Sequence, residues 1–245
     1  MRTYTRDDHS GTGPGEITPD GCSVEMYARL PENGETGVIA AAVPRGSTTL
    51  LELGAGAGRM TRPLLARGFH VTAVDESAAM LAKAAELAPD GAALRTVCGA
   101  IEDLRLDERF DVVTLTSFLV NTADPVQREG ILRACARHVA DDGCVILQRE
   151  RDGLHEDFVP GEEWTRGGMT IRSADREPVG EGVARIRFEY AFEDAEWSQT
   201  FYSYFLSRPD FEAALAAASL TLDAYLTDDG CWARAVPVRG VSRSV

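Results

Sequence analysis

From residue 49 onward the chain alternates short apolar runs with stretches of helical periodicity, and no other feature restricts its fold as strongly. Residues 49–53 (TLLEL) read as a buried strand that runs into a glycine loop, ELGAGAG at residues 52–58. A helical stretch carrying Met60, Leu64 and Leu65 follows and stops near Gly68. The unit then repeats. Residues 69–74 form a second apolar run, and Ser77 suits the N-cap of a helix bearing Met80, Leu81, Ala84, Ala85 and Leu87, which Pro89-Asp90-Gly91 ends. Further strands are expected at residues 94–98, 111–116 and 144–148. Ile131, Leu132, Cys135 and Val139 recur at helical spacing before the last of these, and Asp141-Asp142-Gly143 forms a turn. Alternation of this kind implies an α/β domain with a mostly parallel sheet covered on both faces.

After Arg151 the texture changes. Residues 169–172, 183–192 and 197–205 read as strands with no helix between them, which indicates an antiparallel β insertion. In its middle strand Ile186, Phe188, Tyr190 and Phe192 share one face and Arg185, Arg187 and Glu189 the other, as in a sheet packed on one side only. Ser207 then suits the cap of a helix bearing Phe211, Ala214, Leu215 and Ala218. Residues 220–226 and 232–236 form a terminal hairpin through Asp228-Asp229-Gly230. Four segments are expected: an arm and cap helix at 1–48, the glycine-loop core at 49–150, the insertion at 151–206 and a helix with a hairpin completing the core sheet at 207–245. Residues 1–23, rich in Gly, Thr, Pro and Asp, have too little apolar surface to offset chain entropy and are expected to form a mobile tail.

Thirty-nine acidic against twenty-five basic residues leave a net charge of -14, the wrong sign for releasing counterions from a polyphosphate, so nucleic acid is not expected as a partner. The five cysteines are scattered and lack C-x-x-C spacing, which suggests neither a disulfide framework nor a metal site and fits a reducing cytoplasm. No apolar stretch approaches the length of a membrane span, and no membrane partner is expected.

The glycine loop carries the chemistry. Gly54, Gly56 and Gly58 remove the Cβ atoms that would keep a ligand from the backbone at a helix N-terminus. Their G-x-G-x-G spacing differs from the dinucleotide fingerprint, which disfavours a pyrophosphate cradle. Asp75, seventeen residues after Gly58 at the end of the second strand, suits both hydroxyls of a ribose and repels a 2′-phosphate. The terminal hairpin would also put one antiparallel strand into an otherwise parallel sheet, unlike a simple nicotinamide-binding fold.

With these features, residues 49–148 resemble the Rossmann-like core of the class I S-adenosylmethionine-dependent methyltransferases, and the hairpin resembles that family's last two strands. The resemblance implies S-adenosylmethionine as cofactor, with the loop around its methionine end, Glu52 orienting that end and Asp75 on the ribose. The run VDESAAML, containing Glu76, is similar to the family's VDxSxxML and implies Met80 near the adenine. The family's adenine-binding acid is replaced here by Ala100 in CGAIEDL. The amide of Ile101 is left for the ring, with Glu102 as a possible substitute for the missing carboxylate. The insertion resembles the roof of the deoxysugar N-methyltransferases. In such relatives an N-terminal arm closes over the cofactor, so Arg29 is expected on its carboxylate and Tyr27 shielding its sulfonium.

Methyl transfer is an in-line displacement that needs alignment and exclusion of water, and the acceptor belongs at the C-terminal ends of the core strands. There TSFLVNTAD offers Ser117 toward the cofactor and Phe118 and Asn121 toward the acceptor. The loop after the next strand offers His155 as a base. Trp164, Tyr202 and Tyr204 are the insertion's candidates for lining the acceptor pocket. The expected function is methylation of an oxygen or nitrogen of a small organic acceptor, with homodimerisation open. A non-catalytic cofactor-binding protein and an NAD-dependent oxidoreductase are the alternatives.

Overall fold

The computed structural model describes residues 4–238, and the outer ends of the first and last expected segments, residues 1–3 and 239–245, lie outside the described residues. Two sheets organise the chain. The core sheet uses β2 (Thr49–Leu53), β3 (His70–Asp75), β4 (Leu94–Cys98), β5 (Phe110–Leu115), β6 (Val139–Gln148), β11 (Leu220–Tyr225) and β12 (Trp232–Pro237). Its order is β11-β12-β6-β5-β2-β3-β4, and only β12 runs against its neighbours. That is the single reversed strand expected of the terminal hairpin. Both faces are covered. Leu51, Leu53, Val113, Leu115, Val145 and Leu147 enter one apolar cluster, and Leu50, Val71, Val112 and Ile146 the other, all 1% exposed or less. Burying side chains of this size stabilises by about 1.5–3 kcal/mol each, which explains why the strands read as continuous apolar runs.

The helices start where the sequence offers caps. Ser77 accepts from the Met80 amide to begin α4 (Ala78–Glu86), Asp124 accepts from Val126 to begin α5 (Pro125–His138), and Ser207 accepts from Asp210 to begin α7 (Arg208–Ala217). The residues 141–143, expected as a turn before a strand, are instead a bulge inside β6. Val139 already pairs with Phe110, and pairing resumes at Cys144 opposite Val112. Gly143 permits this, because a Cβ there would lie 2.6 Å from the Asp111 carbonyl oxygen.

The second sheet is antiparallel, ordered β1-β10-β9-β8-β7. It comprises β7 (Glu163–Arg166), β8 (Met169–Gly180), β9 (Val183–Ala191) and β10 (Glu196–Tyr204), with β1 (Ser10–Thr12) added at the edge. β8 runs well past the expected residue 172. The short β7 leaves its far half on an edge, where Pro178 needs no ladder partner. The face assignment of β9 is the expected one, with Ile186 buried and Arg185 and Arg187 pairing with Glu177 and Glu189 on the outer face.

The mobile tail expected at residues 1–23 is a correction. Ser10, Gly11 and Thr12 pair with Thr200, Gln199 and Ser198, Cys22 is buried, and Ser23 caps α1 (Val24–Arg29). The segment's own apolar content is low, but it borrows the exposed edge of β10 and satisfies its backbone there.

Candidate functional site

The C-terminal ends of β2, β3 and β5 meet beneath the second sheet, and the glycine loop lies among them. Gly54 and Ala55 both donate to the Val74 carbonyl at 2.9 Å, which locks the loop to the end of β3. Gly56 donates to Asp75 Oδ2 at 2.8 Å and Ser77 donates to Asp75 Oδ1 at 2.9 Å. Burial raises the Asp75 carboxyl despite these two amides.

The three glycines do different work. All have positive φ, but a Cβ on Gly54 would sit 2.3 Å from Leu119 Cδ1, and one on Gly58 would sit 3.0 Å from the Cα of Ala84 in α4. Gly58 is therefore held to glycine by backbone packing, whereas Gly54 meets the movable end of a leucine side chain. Only Gly56 opens outward, with the Tyr27 ring at 3.8 Å as its nearest prospective contact. A flat or charged ligand part can approach the backbone at Gly56, with Asp75 alongside for a pair of hydroxyls. This cradle fits the methionine and ribose parts of S-adenosylmethionine.

Glu52 is 1% exposed and accepts from Thr61 Oγ1 at 2.6 Å. Burial pushes its carboxyl up to about 7, against the pull of Thr61 and Arg59. Glu76 and Glu102 are both paired to Arg6 of the N-terminal segment, a residue sequence reasoning missed. Glu102, expected as a substitute for the missing adenine acid, meets Arg6 through one of its two carboxylate oxygens. Ala100 precedes the short turn of Ile101–Asp103, where Ile101 is buried and the Asp103 amide returns to the Ala100 carbonyl. Met80 is buried with Cys22, Val24 and Ala57 beside the loop.

Tyr27 stands against the glycine loop as expected, with its hydroxyl donating to Gln199 Oε1 of β10 at 3.3 Å, and burial raises its pKa. Arg29 does not point there. It donates to Asp194 Oδ1 and Glu25 Oε1, both at 2.7 Å, with its guanidinium 5.1 Å from the Trp197 ring, so its expected pairing with a cofactor carboxylate is corrected. Helical phase is the reason: two positions along α1 turn the side chain away from Tyr27.

One residue beyond β5, Ser117 and Phe118, expected toward the cofactor and the acceptor respectively, both take left-handed conformations, with φ of 57° and 61°. Two such non-glycine residues in succession are uncommon and concentrate at functional sites. Phe118 remains 43% exposed, and Trp164 remains 41% exposed with its ring edge on Phe188. Phe188 also contacts Phe158, Tyr190 and Phe201, an aromatic face beneath the roof that the alternation of β9 announced but that was read as packing.

Four expected acceptor-side residues have other partners. Asn121, 2% exposed, receives the Glu150 amide at 2.9 Å and donates to the Tyr204 carbonyl at 3.1 Å. His155 is buried with Nε2 2.9 Å from Glu150 Oε2, and Ser203 donates to the other Glu150 oxygen at 2.6 Å. Its ring borders a cavity of about 180 Å³ lined by Arg176, Gly182, Val183 and Phe205, with no glycine-loop residue in the lining. Tyr202 stacks on Tyr4, and Tyr204 lies under the Arg128 guanidinium. Buried Glu150 takes a ring nitrogen of His155 as its partner, which holds this loop under the second sheet.

Residues 50–143 match a family model described as a methyltransferase domain. Over 173 residues, 68% of this chain, the sequence is 31% identical to the glycine/sarcosine N-methyltransferase of Aphanothece halophytica, and the match spans 64% of that relative's length, somewhat under two thirds. In fold, the chain is similar to an S-adenosylmethionine-dependent methyltransferase from Clostridium acetobutylicum, with a TM-score of 0.68 at 15% identity over 84% of this chain and 89% of that one. It is also similar to an S-adenosylmethionine-bound amino pentose methyltransferase from Micromonospora echinaspora involved in calicheamicin biosynthesis, with a TM-score of 0.62 at 23% identity over 89% and 92%.

Proposed function

We propose that this chain, whose core belongs to the methyltransferase-domain family and whose fold is that of the class I S-adenosylmethionine-dependent methyltransferases, methylates a nitrogen of a small organic acceptor. The observation that carries this reading is the coupling of Gly56, the loop glycine with no close neighbour, to Asp75. The N-methyltransferase matched in sequence supports nitrogen over oxygen.

When bound, S-adenosylmethionine supplies an electrophilic methyl group on a sulfonium. Asp75, Gly56 and Tyr27 would hold it. The chain's own work is alignment and exclusion of water, the two requirements of an in-line displacement. Tyr27 and Gln199 bound the groove where the nucleophile enters, and the aromatic face around Phe188 offers the acceptor an apolar wall. An amine must be neutral to attack, so turnover should rise with pH toward the acceptor's own pKa. Five free cysteines, with no helix long and apolar enough to cross a membrane among the described residues, support a reducing, cytoplasmic setting. Homodimerisation is part of the proposal and is checked by sedimentation.

The test is incubation with methyl-labelled S-adenosylmethionine and matched panels of small amines and alcohols. Label in amine products is expected. Label only in alcohols would overturn the nitrogen assignment, and calorimetric binding of NAD with none of S-adenosylhomocysteine would overturn the class.

A further inference from the structure

The cavity of about 180 Å³ beside His155 opens between the far half of β8 and the loop after β6. That volume is far above the roughly 15 Å³ one water needs. β7 pairs only with Met169–Arg172, so the rest of β8 has a strand on one side alone. Arg176 there is the register partner of buried Ile186, and its side chain therefore leaves the sheet on the inner face. From below, α6 (Leu154–Asp157) brings His155, while Pro178, Val183 and Phe205 supply apolar walls.

Two groups in this lining lack acceptors. Arg176 Nε is buried without a hydrogen-bond partner, and no carboxylate among the described residues pairs with its guanidinium. The acids nearest it in β8, Asp175 and Glu177, pair instead with Arg185 on the outer face. His155, 7% exposed, commits Nε2 to Glu150, and its Nδ1 has no partner among the described residues. A buried donor left unpaired costs stability unless a ligand or water takes it. Glu156 is the one acid in the lining, and it is exposed, so solvent screens its charge.

We infer that this cavity binds a small organic carboxylate, with Arg176 and His155 donating to its oxygens and Pro178, Val183 and Phe205 around its carbon body. The Nε and Nη hydrogens of a guanidinium form a fork that matches a carboxylate's two oxygens. The imidazolium form of His155 donates from both ring nitrogens, Nε2 to Glu150 and Nδ1 to the ligand. Apolar walls disfavour phosphate, whose further oxygens would be left unpaired. The same chemistry comes from two sources, a free carboxylate or one carried on the methyl acceptor. A lining without any glycine-loop residue favours the former. The site also lies at a joint, since Glu150 holds Ser203 of β10 and donates its amide to Asn121, whose own amide goes to the Phe118 carbonyl.

Calorimetry with propionate, and with propionamide as its uncharged counterpart, tests this in carboxylate-free buffer, both without and with saturating S-adenosylhomocysteine. Saturable propionate binding is expected in both states, with propionamide at least about tenfold weaker. Arg176→Gln is expected to weaken propionate about ten- to hundredfold, and Arg176→Lys, which keeps the charge without the fork, about three- to tenfold. Both variants are expected to keep wild-type affinity for S-adenosylhomocysteine, which shows that they are folded. Absence of saturable propionate binding to the wild type overturns the site, as does equal affinity in Arg176→Gln or equal affinity for propionamide. Propionate that competes with a methylated amine in turnover overturns the assignment to a free carboxylate. Protein that binds propionate but not S-adenosylhomocysteine would overturn the cofactor reading and leave this inference standing.

Discussion

Glycine spacing announced a ligand loop, but only the neighbours of each glycine reveal its task. Gly58 presses on the backbone of α4, so Gly58→Ala must both strain a positive φ and displace a helix. A loss of about 2–3 kcal/mol in urea unfolding is expected. Gly56→Ala meets nothing within the chain closer than Tyr27 at 3.8 Å. It should cost about 1 kcal/mol in stability yet weaken S-adenosylhomocysteine about tenfold, because the new methyl enters the cradle. Glu52 gives a pH signature. Its folded pKa, near 7, lies above the unfolded value of 4.5, so folding favours the protonated form. The stability contributed is present below pH 4.5 and is lost as pH rises through 7, by about 3 kcal/mol in full. Glu52→Gln should flatten that decline in the ligand-free protein, measured as unfolding free energy at pH 5, 6, 7 and 8.

Elements place these residues, and the least sequence-legible of them is the N-terminal segment. Its composition reads as a tail, since short polar stretches bury little, yet β1 closes the edge of β10 and Arg6 reaches both Glu76 and Glu102. The same stretch carries Cys22, which receives Gln199 Nε2 at 3.1 Å, and leads into the helix bearing Tyr27. Removing residues 1–30 is therefore expected to abolish turnover and to weaken S-adenosylhomocysteine at least tenfold, about the worth of one charge-assisted contact. Labelled turnover together with a binding isotherm checks this, and an active, fully saturable truncation would sink it. By contrast the central core strands, apart from the start of β6, were legible to within a residue, because a strand buried on both faces is apolar at nearly every position.

At the scale of the molecule, the second sheet is docked on the core by a buried polar chain rather than by an apolar seam alone. Glu150 joins His155, Ser203 and Asn121, and Asn121 continues to the Tyr204 carbonyl. His155→Ala leaves one oxygen of a buried carboxylate without its partner. It should cost about 1–3 kcal/mol in unfolding free energy while S-adenosylhomocysteine affinity and turnover per folded molecule stay within about threefold. A thousandfold loss of turnover with unchanged stability would restore His155 as a base. The sequence by itself determined the core strands, the reversed last strand, the glycine loop and the Asp75 pairing site. All of these follow from local periodicity or from residues fixed to consecutive strand ends. Which glycine is left without a close neighbour, that Arg29 turns outward, that Arg6 joins Glu76 to Glu102 and that Arg59 meets Arg166 over Glu35 were decided only by the tertiary structure. Each depends on side chains brought together from segments up to 165 residues apart, and charged groups that can pair in many ways carry no periodicity to announce the partner they take.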